Sequence, residues 1–143
     1  MDTNTQIVVA AAIVADGRVL VAQRGNGAMA GKWEFPGGKK RIDESPQKAL
    51  VREIREELSL SVQVSAKIGE EPFDVDGRSY LLMAYLAEVQ SGTLNLSEHQ
   101  AVRWVTPPQL LEMDLASADI AIAQKVIALL SPNDTLPPTP ASH

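Results

Sequence analysis

The sequence predicts an α/β sandwich, a mixed β-sheet with helices packed on it. Three observations predict this. Two β-rich runs flank an Asp16-Gly17 pair near the start, a capped amphipathic helix occupies residues 46–58, and further alternating runs precede a second amphipathic segment over 118–130.

IVVAAAIVA (residues 7–15) and RVLVAQR (18–24) surround the Asp-Gly pair and read as a hairpin, because both turn residues tolerate the positive φ that a tight turn requires. GNGAMAG (25–31) is a glycine-rich loop, WEF (33–35) a short strand, and PGG (36–38) a sharp bend. Ser45 then offers an N-cap and Pro46 a first helical position that needs no N–H. Along QKALVREIREEL (47–58), Leu50, Val51, Ile54 and Leu58 form the side expected to face the core. SVQVSAKIG (61–69) alternates as a strand does, Asp76-Gly77 and Ser91-Gly92 mark turns on either side of SYLLMAYLAEV (79–89), and AVRWV (101–105) is one more strand. Thr106-Pro107 caps a short helix through Leu111, and residues 118–130 close the fold as a helix. Trp33 and Trp104 are expected in packing roles. SPNDTLPPTPASH (131–143) is proline-rich without apolar periodicity and is expected to be a disordered tail. The expected organisation is therefore a single domain over residues 1–130 followed by that tail.

Composition agrees with one core. A chain of 143 residues, 45% hydrophobic, is long enough for one well-buried domain and short for two. Only 4% of residues are aromatic, so the core should be aliphatic. A net charge of -5 argues against binding a nucleic acid polymer, whose phosphates demand clustered Lys and Arg. The absence of cysteine removes disulfides, thiolate zinc sites and cysteine nucleophiles, and two histidines, His99 and His143, are too few for a histidine-rich metal site. With no signal-peptide pattern and no apolar run near the ~20 residues that span a bilayer, no membrane partner and a cytoplasmic location are expected.

REIREEL (52–58) poses the chemical question. Glu53, Glu56 and Glu57 fall within an arc of about 100° on one helix face, where like charges three and four apart repel. An acidic face is by itself ordinary solvated surface. Here Ala49 stands one turn before Glu53, which leaves space over the carboxylates, and a diglycine lies a few residues upstream. Hard oxygen donors grouped this way suit Mg²⁺, with Mn²⁺ as a substitute, because such ions take carboxylates together with waters and substrate phosphates.

GKKRIDESPQKALVREIREELSL (38–60) resembles the Nudix box, with Gly38, Glu44, Arg52, Glu53, Ile54, Glu56, Glu57 and Leu60 at the required spacing. One position departs: Ser59 stands where the box ends its helix with glycine, which puts the helix exit in question more than the chemistry. AQR (22–24), GKWEFPGGK (31–39), SEHQAVRW (97–104) and LASADI (115–120) extend the likeness to the MutT-like branch over residues 7–130.

The resemblance implies a Nudix-type α/β/α sandwich that hydrolyses a nucleoside diphosphate linked to another moiety. In the MutT-like branch this means a nucleoside triphosphate cleaved to monophosphate and pyrophosphate. It implies metal ligation by Glu53, Glu56, Glu57, the Gly37 carbonyl and Glu98. Glu98 has the alternative of being an ordinary loop residue. Glu53 is the first choice of base for the attacking water and Glu98 the second. Arg52 and Glu44 are expected to pair and orient the ligands, and Gly37 and Gly38 to admit close backbone approach. For the substrate, the resemblance points to Arg24, Phe35 and Asp119. Arg24 has a surface role as its alternative, Phe35 a core role, and Asp119 a helix-capping role. Asp119 also departs from the branch's asparagine form, since an ionised aspartate only accepts hydrogen bonds. The expected function is cleansing of the nucleotide pool in support of DNA repair, with 8-oxo-dGTP first, CTP or dCTP as the alternative, and a non-catalytic nucleotide sensor as the third reading. The oligomeric state stays open.

Overall fold

The computed structural model describes residues 5–25, 30–95 and 99–130. Glu98, residues 26–29 of the glycine-rich loop and the tail over 131–143 lie outside the described residues.

The first apolar run forms β1 (Gln6–Ala15), and its two faces enter two separate cores. Val9, Ala11 and Ile13 point into one and Ala10 and Ala12 into the other, the alternation of a strand covered on both sides. Helix α1 (Pro46–Leu58) fills the first core with Ala49, Leu50, Ile54 and Leu58. Helix α3 (Ser117–Leu130) fills the second with Ile122, Ala123 and Val126, beside Leu110 of α2 (Pro107–Leu111). The result is the expected α/β/α sandwich.

The sheet runs β3 (Trp33–Glu34), β2 (Arg18–Arg24), β1, β6 (Arg78–Gly92) and β5 (Leu60–Val75), with β4 (Gly37–Lys39) on β1 and β7 (His99–Val105) on β2. It is mixed because β1 lies parallel to β6 and antiparallel to β2 and β4. Both Asp-Gly pairs turn hairpins with positive φ, 52° and 75° at Asp16 and Gly17 and 52° and 80° at Asp76 and Gly77.

The helix signals hold at the atomic level. The Ser45 side chain accepts from the Lys48 N–H at 3.1 Å ahead of Pro46, and Thr106 and Gln109 form a reciprocal capping box ahead of α2. Ser59, in place of the box glycine, adopts the left-handed conformation itself, with φ 61° and ψ 31°, and its N–H returns to the Arg55 carbonyl.

Four expectations are corrected. PGG is a bend only at Pro36, because Gly37 and Gly38 pair with Ala10 and Val9 as β4, and a β-carbon on Gly37 would overlap the Val9 carbonyl. The strand expected over 61–69 continues to Val75, bulged at three places, and tolerates Pro72 because β5 is an edge strand. On α1, Ala49 faces the core rather than the carboxylates, while Val51, half-buried, packs against the same core as expected. Trp104 is 38% exposed on β7 rather than packed. Among the described residues no helix is long and apolar enough to cross a membrane.

Candidate active site

A cleft of about 650 Å³ opens where β4, the outer face of α1, the start of α3 and the β5–β6 hairpin meet. Glu53, Glu56 and Glu57 all line it, beside Gly37, Gly38 and Lys39 of β4. The short strand sets this wall. A β-carbon at Gly38 would overlap the Glu53 carboxylate, so glycine leaves that carboxylate its present place against the strand.

Arg52 straps the wall together. Its Nε and Nη2 donate to the two carboxylate oxygens of Glu44 at 3.0 and 2.6 Å, the bidentate geometry in which guanidinium and carboxylate match. Nη2 also donates to the Lys39 carbonyl at 3.1 Å, and Nη1 to Glu53 at 3.0 Å and Glu56 at 3.4 Å. One side chain thus joins the loop before α1, the end of β4 and two of the three acidic groups. Hydrogen bonds from Arg52 and the Arg41 N–H hold the Glu44 carboxyl down to about 2, and Glu44 in turn raises Arg52 above its ordinary value. The Arg52–Glu44 pair expected from the sequence is present, and it reaches further than a pair.

The donor set on this wall is all hard oxygen, which fits a Mg²⁺-type ion, and Gly38 leaves the Glu53 carboxylate its space. Among the described residues no three acidic or histidine side chains converge tightly enough to hold an ion as they stand. Arg52 draws on Glu53 and Glu56, so it occupies part of the charge that a cation would take.

Residues of β2, β3 and α3 complete the lining of the cleft. Asp119 is 6% exposed, and its Oδ1 accepts from the Phe35 N–H at 3.2 Å, which ties the first turn of α3 to the link between β3 and β4. That bond runs to another element, so this oxygen does not cap its own helix. Burial pushes the Asp119 carboxyl up to about 7. The Phe35 N–H and the charge of Arg24 oppose the rise, and the charge of Glu34 adds to it. Arg24 lines the cleft, with Nη1 donating to Glu34 at 3.0 Å.

Phe35 is the correction among the expected site residues. Its ring is 3% exposed inside the α3-side core, and its contribution here is the backbone N–H. Glu98 lies outside the described residues. Glu34, Lys39, Phe73 and Tyr80 line the cleft without having been singled out. Glu34 had one signal, a lone charge between two aromatic residues in WEF. Phe73 and Tyr80 had another, since counting outward from Asp76-Gly77 sets them opposite each other.

Comparison with known proteins agrees with this geometry. The NUDIX domain family matches residues 4–127. The CTP pyrophosphohydrolase of Escherichia coli is 44% identical over 123 residues, covering 85% of this chain and 91% of the relative. The 8-oxo-dGTP diphosphatase of the same organism is 31% identical over 98 residues, covering 68% and 76%. The solution structure of the E. coli ORF135 protein superposes with a TM-score of 0.79 at 40% identity, covering 97% of this chain and 96% of that one. Box spacing, sandwich architecture, an acidic wall strapped by Arg52 and a family match over most of the length lead to one conclusion: the chain belongs to the Nudix hydrolase family.

Proposed function

We propose that the protein is a metal-dependent nucleoside triphosphate pyrophosphohydrolase, releasing nucleoside monophosphate and pyrophosphate, and that cytidine triphosphates are its preferred substrates. The observation that carries the reading is one cleft joining Glu53, Glu56 and Glu57 to the buried carboxyl of Asp119. Glu53, Glu56, Glu57 and the Gly37 carbonyl would hold a Mg²⁺ ion, or Mn²⁺ in its place, which would supply the positive charge needed to offset the triphosphate that the acidic wall alone would repel. Glu53 takes the proton of the attacking water, oriented by Arg52, with Glu98 as the alternative base. Lys39 and Arg24 add positive charge along the cleft for the phosphates. Asp119 reads the edge of the base.

The cytidine reading now stands ahead of 8-oxo-dGTP. The relative named as a CTP pyrophosphohydrolase matches at 44% identity over nearly the full length of both chains. The chemistry of Asp119 is compatible with it: with its carboxyl raised to about 7 the neutral form is available, and that form donates as well as accepts, which matches the acceptor N3 and donor N4 of cytosine. Ionised, it only accepts, as the N–H groups of a guanine edge require, and this keeps 8-oxo-dGTP as the second reading. The test is kcat/KM with Mg²⁺ for CTP, dCTP, 5-methyl-dCTP, 8-oxo-dGTP, dGTP and ADP-ribose. Cytidine nucleotides should lead, and a ranking headed by ADP-ribose would overturn the assignment.

A further inference from the structure

The cleft has an aromatic wall that cleavage of a phosphoanhydride does not use. Phe73 and Tyr80 both line it, with ring centroids 5.0 Å apart and planes 13° from parallel. Local sequence dictates the arrangement. The positive φ at Asp76 and Gly77 closes a two-residue turn, which sets Val75 against Arg78, Asp74 against Ser79 and Phe73 against Tyr80. Directly opposed residues share a sheet face, so the rings stack. Each is only half-buried and lines the cleft, so neither ring is closed off in the core. With Phe35 sealed in the core, Phe73 and Tyr80 are the only aromatic side chains among the described residues that line it.

Resting on the nucleotide reading above, we propose that the stacked Phe73–Tyr80 pair is the platform that receives the base of the nucleotide, and that it sets how tightly any base is held. Stacking accepts every base, because each presents a π-face, so the platform supplies affinity while Asp119 discriminates by hydrogen bonding.

The test compares probes with and without a base. GMP, CMP and ribose 5-phosphate are titrated calorimetrically into the parent, Phe73→Leu, Tyr80→Leu and Tyr80→Phe, with melting temperatures as a fold check and CTP hydrolysis by the parent followed in parallel. The parent should bind GMP and CMP more tightly than ribose 5-phosphate. Each leucine variant should shrink that ratio by about tenfold or more, the lower range for losing one base–aromatic stack, and Tyr80→Phe should recover most of it. Phe73 also packs against the core, so if Phe73→Leu fails to fold, Tyr80→Leu decides. A parent that hydrolyses CTP while folded leucine variants keep the full ratio overturns the platform and leaves the pyrophosphohydrolase reading standing. A parent that fails to hydrolyse triphosphates yet shows the ratio, and its collapse in the variants, removes that reading and keeps the platform. A parent indifferent to the base overturns the platform outright.

Discussion

Replacing Asp119 by asparagine should flatten the pH dependence of stability. The carboxyl titrates near 7 in the folded protein against an ordinary 3.8, and burial is the main cause. A folded-state value raised above the unfolded one means that the contribution is fully present below about 3.8 and is lost as pH rises towards 7. Each unit of difference corresponds to about 1.4 kcal/mol, so the parent should lose about 3 kcal/mol between pH 5 and pH 8 through this group alone. In the Asp119→Asn variant the amide would retain an oxygen to accept from the Phe35 N–H but has no charge to bury. The assay is urea unfolding of parent and variant at both pH values. Titrations common to the two proteins cancel in the difference, which should shift by about 3 kcal/mol in favour of the variant on going to pH 8. Parallel profiles would refute the buried-carboxyl account and the hydrogen-bonding argument built on it.

Glu53→Gln should lower kcat by at least ~10²-fold at saturating Mn²⁺, because an amide cannot take the proton from water; recovery of the parent rate there would leave Glu53 as a ligand only and transfer the base role to Glu98. Gly38→Ala should leave a folded protein with greatly reduced activity, since the added β-carbon takes the space of the Glu53 carboxylate; circular dichroism and kcat/KM together check this, and an unimpaired rate contradicts it. Ser59→Gly should raise stability by up to about 1 kcal/mol in urea unfolding, because glycine relieves roughly 1–2 kcal/mol of left-handed backbone cost and returns part of it as unfolded-state entropy; a destabilised variant would show that the serine side chain contributes more than its backbone costs.

The parts of the fold that rest on local chemistry were legible in the sequence. The Asp-Gly turns, the Ser45 and Thr106 caps and the apolar run that becomes β1 each carry a short-range cause, and each stands where it was expected. What rests on long-range approach was not. Nothing within PGG shows that β1 will come close enough to turn a bend into a strand, and nothing within QKALVREIREEL shows that Ala49 turns inward while Glu53 meets Gly38. The candidate site divides the same way. The pairing of Arg52 with Glu44, eight residues away, was expected from their places in the box and is present. The exchange of roles between Phe35, buried, and Phe73 with Tyr80, lining the cleft, depends on which sheet face meets α3, and that only the packing of the whole chain decides.

The most direct measurement is ³¹P NMR of CTP incubated with the protein and Mg²⁺, with and without a chelator. The account predicts CMP and pyrophosphate in equal amounts as the first products, and no turnover once the metal is removed. CDP with orthophosphate, or an undiminished rate in the presence of the chelator, would contradict it.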